Sequence, residues 1–430
     1  MADNHLEYKG SILCLGGSQE SLPIIRRVYD LNYRPIILDR NEDCAARHWS
    51  DERSFWIGPD KDKRASLFVK ANCYDLHSCR NALVWAVTKE RTKYDGWYFN
   101  LRDLVGVLCC TVDAPMVAAG LAEKYNLPTI GTEAAKYGVN KYWQYKKLSE
   151  YNILVPPTKI VNPEMSWDEV SDYDIVKPAD SRGARGVRFY DESNYKEAFT
   201  MSLAWSKLRS IIVQRFIHGK QLSTESVIYN GVVSMTAIQE RNYDRLAEFA
   251  PYIVEDGSDT YLPSPLNKRI NELIEKCCIA LGWDNCTVKG DLILDGGLLY
   301  VIELAPRLSG GYFASHIIPS SMGWDILADA IALATGNRPI IHLDKVEQFV
   351  SQRYLFPRRE WVGKLISKLP QFPSSVNFGT WNVKIGDKIY PTIHHPSRLG
   401  QVICTGQTYT EAVSKAVGTV KRLIEEVEVE

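Results

Sequence analysis

Apolar positions follow two periods along this chain, and the switch between them divides it. The first third alternates short continuous apolar runs with stretches where apolar residues recur every three or four positions. Ser11–Leu15 (SILCL) predicts a strand, Gly16-Gly17-Ser18 a turn, and residues 20–30 a helix with Ile24, Ile25 and Val28 on one face. A second strand at 35–38 ends at Asp39, which completes a βαβ unit of a parallel sheet. Residues 96–100 and 127–130 are expected as further strands of that sheet. The texture changes near Gly131. Residues 132–154 predict a helix, polar on the side that carries Lys141, Lys146 and Lys147. From 175 to 303 strands dominate: DIVKPA, GVRFY, SIIVQRFI, LSTESVIYN, VVSMTAI, VKGDLIL and LLYVIEL. Hairpin turns punctuate them at Asn230-Gly231 and Asp295-Gly296-Gly297, and a helix at 267–281 interrupts them. From about Asn337 a further α+β unit runs to a closing helix at 410–427. Three modules are expected, at 1–130, 131–336 and 337–430.

Composition narrows the function classes. The 430 residues suit about three domains of ordinary size. Lysine plus arginine (51) balance aspartate plus glutamate (52), which argues against a nucleic-acid binder held by bulk charge. The longest strongly apolar run, 104–112, falls short of the about 20 residues that span a bilayer. The opening MADNHLEYKG has no apolar core of a signal peptide. A cytoplasmic protein is the expectation. The ten cysteines include no Cys-x-x-Cys, and the pairs Cys109-Cys110 and Cys277-Cys278 lie in apolar segments, so reduced, buried thiols are expected.

Two groups of residues carry chemistry. If VKGDLIL and LLYVIEL pair around Asp295-Gly296-Gly297, Asp291 and Glu303 become neighbours. Carboxylates on adjacent strands facing one way form a hard-oxygen site of the kind magnesium takes when it also binds phosphates. The residues around them are mostly apolar, and unpaired charges there would be costly. In IVKPADSRGARGV, Lys177 sits on a strand, and the loop Ser181, Arg182, Gly183, Ala184, Arg185, Gly186 offers small residues and backbone N–H groups that can close over a triphosphate. It is not a Walker loop, since no Gly-Lys-Ser/Thr opens a helix.

In this order the motifs resemble the ATP-grasp superfamily, and within it the carboxylate–amine ligases such as L-amino-acid ligases. The resemblance spans nearly the whole chain. It rests on the βαβ module, on Lys141 in GVNKYWQYKKLSEYNILVP, on IVKPADSRGARGV, on VQRFIHGKQLSTESV, and on VKGDLIL followed by VIELAPRLSGG. The tail HPSRLGQVICTGQTYTEAVSKAV is similar to the family's closing strand and helix. The implied fold is α/β and α+β: a Rossmann-like N-terminal module, a central ATP-grasp region and a C-terminal α+β module that completes the substrate site. The implied reaction forms an amide through an acyl phosphate and releases ADP and phosphate. Lys141 and Lys177 would clasp the ATP phosphates under the loop with Ser181, Arg182, Gly183, Arg185 and Gly186. Gln214, Arg215, Phe216 and Ile217 would be the hinge that reads adenine, with Gln221 near the ribose. Asp291 and Glu303 would hold magnesium, or manganese. Arg307 would face the substrate carboxylate, and Ser309, Gly310 and Gly311 would supply backbone donors to the acyl phosphate. Glu225 is placed to help hold the amine or the nucleotide, and His316, just past the glycine turn, is a candidate substrate contact. Small-molecule acids and amines are the implied partners, and dimers are common among such relatives.

The sequence also departs from that pattern. Many relatives carry an asparagine two residues after the second metal acid, where this chain has Ala305, and Glu303-Leu304-Ala305-Pro306-Arg307 is similar to the version in aminoimidazole-ribonucleotide carboxylating relatives. The stoichiometry of two metals is thereby open. Gln214 and Gln221 stand where acids are usual, and amides still accept hydrogen bonds. Three alternatives remain: a bicarbonate-using carboxylating enzyme, a nucleotide-binding scaffold without turnover, and a dinucleotide oxidoreductase built on Gly16-Gly17-Ser18 and Asp39. The last lacks Gly-x-Gly-x-x-Gly. Tyr312 and Phe313 suit either an acceptor pocket or the core.

Overall fold

The continuous apolar runs at the N-terminus form a sheet buried on both faces. The computed structural model describes residues 9–54, 66–93, 100–260, 265–344 and 348–430. Strands β1 (Ser11–Leu15), β2 (Arg34–Asp39), β3 (Leu67–Lys70) and β4 (Leu104–Cys109) are parallel in the order β3-β2-β1-β4. Every residue of β1 is buried, as expected of a central parallel strand. The helix Leu22–Asp30 follows, with Ile24, Ile25 and Val28 buried. Asp39 turns back to accept a hydrogen bond from the Gly17 amide at 2.7 Å. The glycine turn is therefore tied to its own sheet, and the oxidoreductase alternative loses that amide as a phosphate donor.

One expectation for this module fails, and another falls mostly outside the described residues. Residues 127–130 form no strand: the Leu127 amide caps the helix Pro115–Lys124 on the Ala122 carbonyl at 2.8 Å, and Pro128 has no donor for a ladder. The strand beside β1 is instead β4, which lies in the apolar run 104–112. Of the strand expected at 96–100, residues 96–99 lie outside the described residues, and Asn100 caps a 3-10 turn at Leu101–Asp103.

Strands β5 (Thr158–Val161), β6 (Ile175–Pro178), β7 (Arg188–Phe189) and β8 (Ile211–Gln214) form an antiparallel sheet in the order β5-β8-β6-β7. The strand expected through Ile217 stops at Gln214. The helix expected at 132–154 is broken, with a short turn of helix at Thr132–Ala135 and a longer one at Lys141–Glu150. Between them Gly138 passes so close to Pro306 that a Cβ there would sit 2.6 Å from its ring. Asn140 restarts the helix by accepting the Trp143 amide at 3.1 Å.

The largest sheet carries the site. It contains β9 (Lys220–Tyr229), β10 (Val232–Asn242), β11 (Gly257–Thr260), β12 (Cys286–Asp295), β13 (Leu298–Ala305) and β14 (Phe349–Leu355). β15 (Ile366–Lys368) pairs separately with the last strand, β18 (Glu428–Val429), while β16 (Phe378–Trp381) and β17 (Gly400–Gly406) rejoin the large sheet. The order is β13-β12-β9-β10-β11-β14-β17-β16, so the sheet runs without a break past residue 336. The helix Pro265–Leu281 covers one face, burying Ile270, Ile274 and Leu281 against Leu222, Val288, Leu292 and Leu304. These strand residues recur at alternate positions, which leaves the intervening residues for the opposite face. All ten cysteines are free thiols, eight of them buried. Among the described residues no helix is long and apolar enough to cross a membrane.

Candidate active site

The two acids meet because β13 contains a bulge. Across the Gly296-Gly297 turn the register pairs Asp295 with Leu298 and Leu292 with Val301, which would continue to place Ile302 opposite Asp291. The register shifts there, so that Asp291 faces Glu303 and Lys289 faces Ala305. The extra residue has a packing cause. Val301 and Leu304 are both fully buried under the covering helix, three positions apart, and only an inserted residue turns both inward. The helix Lys141–Glu150 pins the irregular edge: Tyr145 donates its hydroxyl to the Ile302 carbonyl at 2.5 Å, and Gln144 exchanges hydrogen bonds of 2.8 and 2.9 Å with the Leu304 backbone.

Around the acids stands a dense set of cations. Lys141 Nζ lies 2.9 Å from Glu303 and donates to the Ser181 carbonyl at 2.6 Å. Lys289 Nζ lies 2.5 Å from Asp291 and 3.5 Å from Glu303. Arg241 reaches Asp291 at 3.3 Å and Glu255 at 3.0 Å, and Ser223 Oγ donates to Asp291 at 3.0 Å. Burial opposes ionisation of both acids, but the neighbouring cations prevail and hold them below the usual carboxylate range, Lys141 and Lys289 for Glu303 and Lys289 and Arg241 for Asp291.

Lys177 behaves differently. Buried on β6, it donates to the Tyr145 hydroxyl at 2.9 Å and to Gln214 Oε1 at 2.8 Å, with no carboxylate in contact. Burial first, and then the charge of Lys141, push its pKa down to about 7. The loop above it is held by aromatic rings: the Arg182 guanidinium lies 3.9 Å from the ring centre of Tyr74, and that of Arg185 lies 5.9 Å from Trp205. Gly183 accepts a hydrogen bond from the His395 amide at 3.1 Å. Just after β8, Asp174 accepts the Phe216 amide at 2.8 Å.

At the exit of β13, Arg307 Nε donates to Asp113 at 3.1 Å. Burial disfavours the charge on Arg307, but Asp113 more than compensates and raises its pKa. Beyond it, Glu225 is fully buried and accepts from the Ser309 amide at 3.0 Å and from its hydroxyl. Burial raises the Glu225 pKa to about 7 against those donors. Glu20 accepts from the Gly311 amide at 3.1 Å, and Gln352 donates to the Gly311 carbonyl at 2.7 Å.

These groups surround a cavity of about 800 Å³ to which all parts of the chain contribute. Lys141, Lys177, Ser181, Arg182, Gly183, Arg185, Gln214, Arg215, Phe216, Ile217, Gln221, Asp291, Glu303, Arg307, Ser309, Gly310 and Gly311 line it. Gly186, Glu225 and His316 are not in its wall. Gly186 closes the loop against Pro178 with φ +74°, and Glu225 acts from behind on Ser309. His316 packs 4.0 Å from the Phe378 ring and beside Tyr312, with its Nδ1 against Ser315 Oγ at 2.8 Å; burial lowers its pKa to about 4. Tyr312 is in the core and Phe313 borders the cavity.

Sequence reasoning missed Lys289, Arg241, Glu255, Arg398, Asp113 and Tyr145. Lys289 was within reach, since it stands two positions before Asp291 and thus on the same face of the strand. Arg241 and Arg398 come from distant segments and meet only at Glu255, where Arg398 donates to the carbonyl at 2.7 Å. Among the described residues no three acids, histidines or cysteines converge as a closed metal cage. Two carboxylates on one face of a hairpin suit a hard cation whose other ligands come from phosphate and water.

Residues 139–311 match the ATP-grasp domain family model. No curated protein sequence shows a significant match to the chain. Solved structures similar over nearly the full length include the L-amino acid ligase from Bacillus licheniformis, at 17% identity and a TM-score of 0.71, covering 99% of each chain. Phosphoribosylglycinamide synthetase from Anaerococcus prevotii has 17% identity and a TM-score of 0.67, covering 98% of this chain and 99% of its own. The biotin carboxylase domain of the Hydrogenobacter thermophilus 2-oxoglutarate carboxylase, solved with MgADP, ADP and bicarbonate, has 14% identity and a TM-score of 0.66, covering 99% and 91%. The acid pair, the two lysines and the glycine loop all fall inside the matched span: residues 139–311 are an ATP-grasp domain, and the whole chain has the fold of the ATP-grasp ligases.

Proposed function

We propose that this protein joins a carboxylate to an amine at the expense of ATP, through an acyl phosphate, with release of ADP and phosphate. The observation that carries the reading is the convergence, in one cavity, of the paired acids Asp291 and Glu303 with Lys141, Lys177, Arg307 and the Ser309–Gly310–Gly311 turn. Asp291 and Glu303 would hold a divalent cation, which supplies charge neutralisation to the phosphates.

Lys141 and Lys177 sit on the side of the acids nearest the glycine loop and neutralise the remaining phosphate charge. A substrate carboxylate oxygen attacks the γ-phosphorus and the bond to the ADP oxygen breaks. Arg307, held rigid by Asp113, orients that carboxylate. The amine then attacks the acyl carbon, loses a proton and expels phosphate. Arg307 and the backbone donors of the turn stabilise the oxyanion, and one such donor is typically worth about 3 kcal/mol of barrier. The loop over Lys177 excludes the water that would hydrolyse the acyl phosphate.

Phosphate release, measured over a matrix of carboxylates and amines with mass spectrometry of the products, tests this reading. The name of the Bacillus licheniformis relative makes L-amino acids the first acids and amines to try. An amide that appears with stoichiometric ADP supports the proposal. Turnover that requires bicarbonate assigns the carboxylating alternative, and ATP hydrolysis indifferent to both substrates overturns the ligase reading.

A further inference from the structure

We propose that Lys289 serves as a built-in cation in place of a second metal ion, so that one divalent cation accompanies the nucleotide in this site. The inference rests on the reading of Asp291 and Glu303 as metal ligands and adds to it the number of ions and the reason for that number.

The hairpin register places two pairs side by side on one face: Asp291 opposite Glu303, and Lys289 opposite Ala305. The methyl group of Ala305 offers no oxygen or nitrogen, so the position that would complete a second metal shell cannot do so. Its small size leaves the space over the strand to the chain opposite. Lys289 stands opposite Ala305 in the register, and its ammonium bridges the acids at 2.5 Å from Asp291 and 3.5 Å from Glu303. On its other side the strand register sets Lys289 opposite the buried Glu225 of β9. An ammonium has three donors and one charge, and it neutralises shared carboxylates without demanding a coordination sphere. Among the described residues no third acid, histidine or cysteine joins Asp291 and Glu303 in a cluster able to hold an ion. Lys289 and Ala305 act as a matched pair: an asparagine at 305 would compete with the lysine for the acids it bridges.

Counting bound Mn2+ by the loss of its free EPR signal, with the full chain and saturating adenylyl-imidodiphosphate, tests the proposal without relying on turnover. One Mn2+ per nucleotide in the wild type is the expected result, and two would overturn the inference while leaving the ATP reading intact. Failure of the nucleotide to bind at all would overturn that reading, and the inference with it. The double variant K289M/A305N is expected to take two Mn2+ per nucleotide. The single variant K289M, without nucleotide, is expected to bind Mn2+ roughly tenfold more tightly, because the acids no longer hold an internal counter-ion that the metal must displace. Unchanged Mn2+ affinity in folded K289M would show that the lysine does not compete for the site. The wild-type count decides the matter should either variant fail to fold.

Discussion

Arg307 Nε donates to Asp113 Oδ1 at 3.1 Å, which links the exit of the acid-bearing hairpin to the loop after β4, 194 residues earlier in the chain. A second bond, from Arg307 Nη1 to the Leu308 carbonyl at 2.9 Å, fixes the guanidinium plane. The two side chains are only 11% and 13% exposed, so each charge leans on the other. Arg307→Ala is expected to lower kcat by about 10²–10³-fold, as the loss of an oxyanion donor does. Asp113→Asn keeps the cation but loosens its aim, and its expected loss is about tenfold, largely in kcat. Steady-state kinetics on both variants check this; equal losses would mean that Asp113 does more than position Arg307.

Lys177 gives the proposed nucleotide site a pH dependence of definite sign. It is half-protonated near pH 7 in the free protein, lowered by burial and by Lys141, while Glu303 and Asp291 pull the other way. Triphosphate brings negative charge beside it and favours the protonated form. Binding should therefore take up a proton above pH 7, and affinity should fall by up to about tenfold per pH unit as the pH rises from there toward the higher pKa of the bound state. Calorimetry with adenylyl-imidodiphosphate in buffers of different ionisation enthalpy measures the proton uptake. Lys177→Arg, charged throughout, should flatten the profile.

The legibility of this chain divides along the range of its interactions. Hairpins and the βαβ unit are local, so alternation, glycine turns and strand length revealed them, and with them Asp291, Glu303 and Lys177. The bulge that aligns the acids was not legible, because its cause is the packing of Val301 and Leu304 against a helix of another segment. The break at Gly138 depends on Pro306, far along the chain. Arg241, Glu255 and Arg398 form one ion network from three separate segments, and no local pattern marks such a meeting. His316 misled for the opposite reason: nearness in sequence to a glycine turn says nothing of direction, and its ring turns toward Phe378.

Glu225 stores a pH-dependent cost in the fold. Its pKa is raised to about 7 by burial, above the ordinary carboxylate value. Between about pH 4.5 and pH 7 the folded state thus holds more protons than the unfolded state, and this group's contribution to stability declines as the pH rises through that window. The full effect is of order 3 kcal/mol by pH 8. Glu225→Gln removes the titration, so urea unfolding of the variant should lack this part of the decline between pH 5 and pH 8. A slope identical to that of the wild type would show that Glu225 is ionised throughout.

Glu303 separates charge balance from catalysis. Its two oxygens face Lys141 and Lys289, and Glu303→Gln leaves both ammonium groups partly buried with one carboxylate fewer between them. Losing one partner of a buried pair typically costs about 3 kcal/mol, and at this partly accessible site the cost is reduced by solvent, to roughly 1–2 kcal/mol. The variant should therefore melt lower than the wild type, and added triphosphate should restore part of the difference by supplying anionic charge to Lys141. The exposed pair Glu133–Lys136, whose acid is almost wholly in solvent, is the control, and Glu133→Gln should leave the melting temperature unchanged. Phosphate release by Glu303→Gln should fall by about 10²-fold or more, since on the proposed reading a bound metal would lose one of its two protein ligands. Thermal melts with and without adenylyl-imidodiphosphate, alongside the release assay, read the two effects separately. A variant that melts like the wild type yet loses turnover would assign Glu303 to the metal alone and leave Lys141 to be balanced elsewhere.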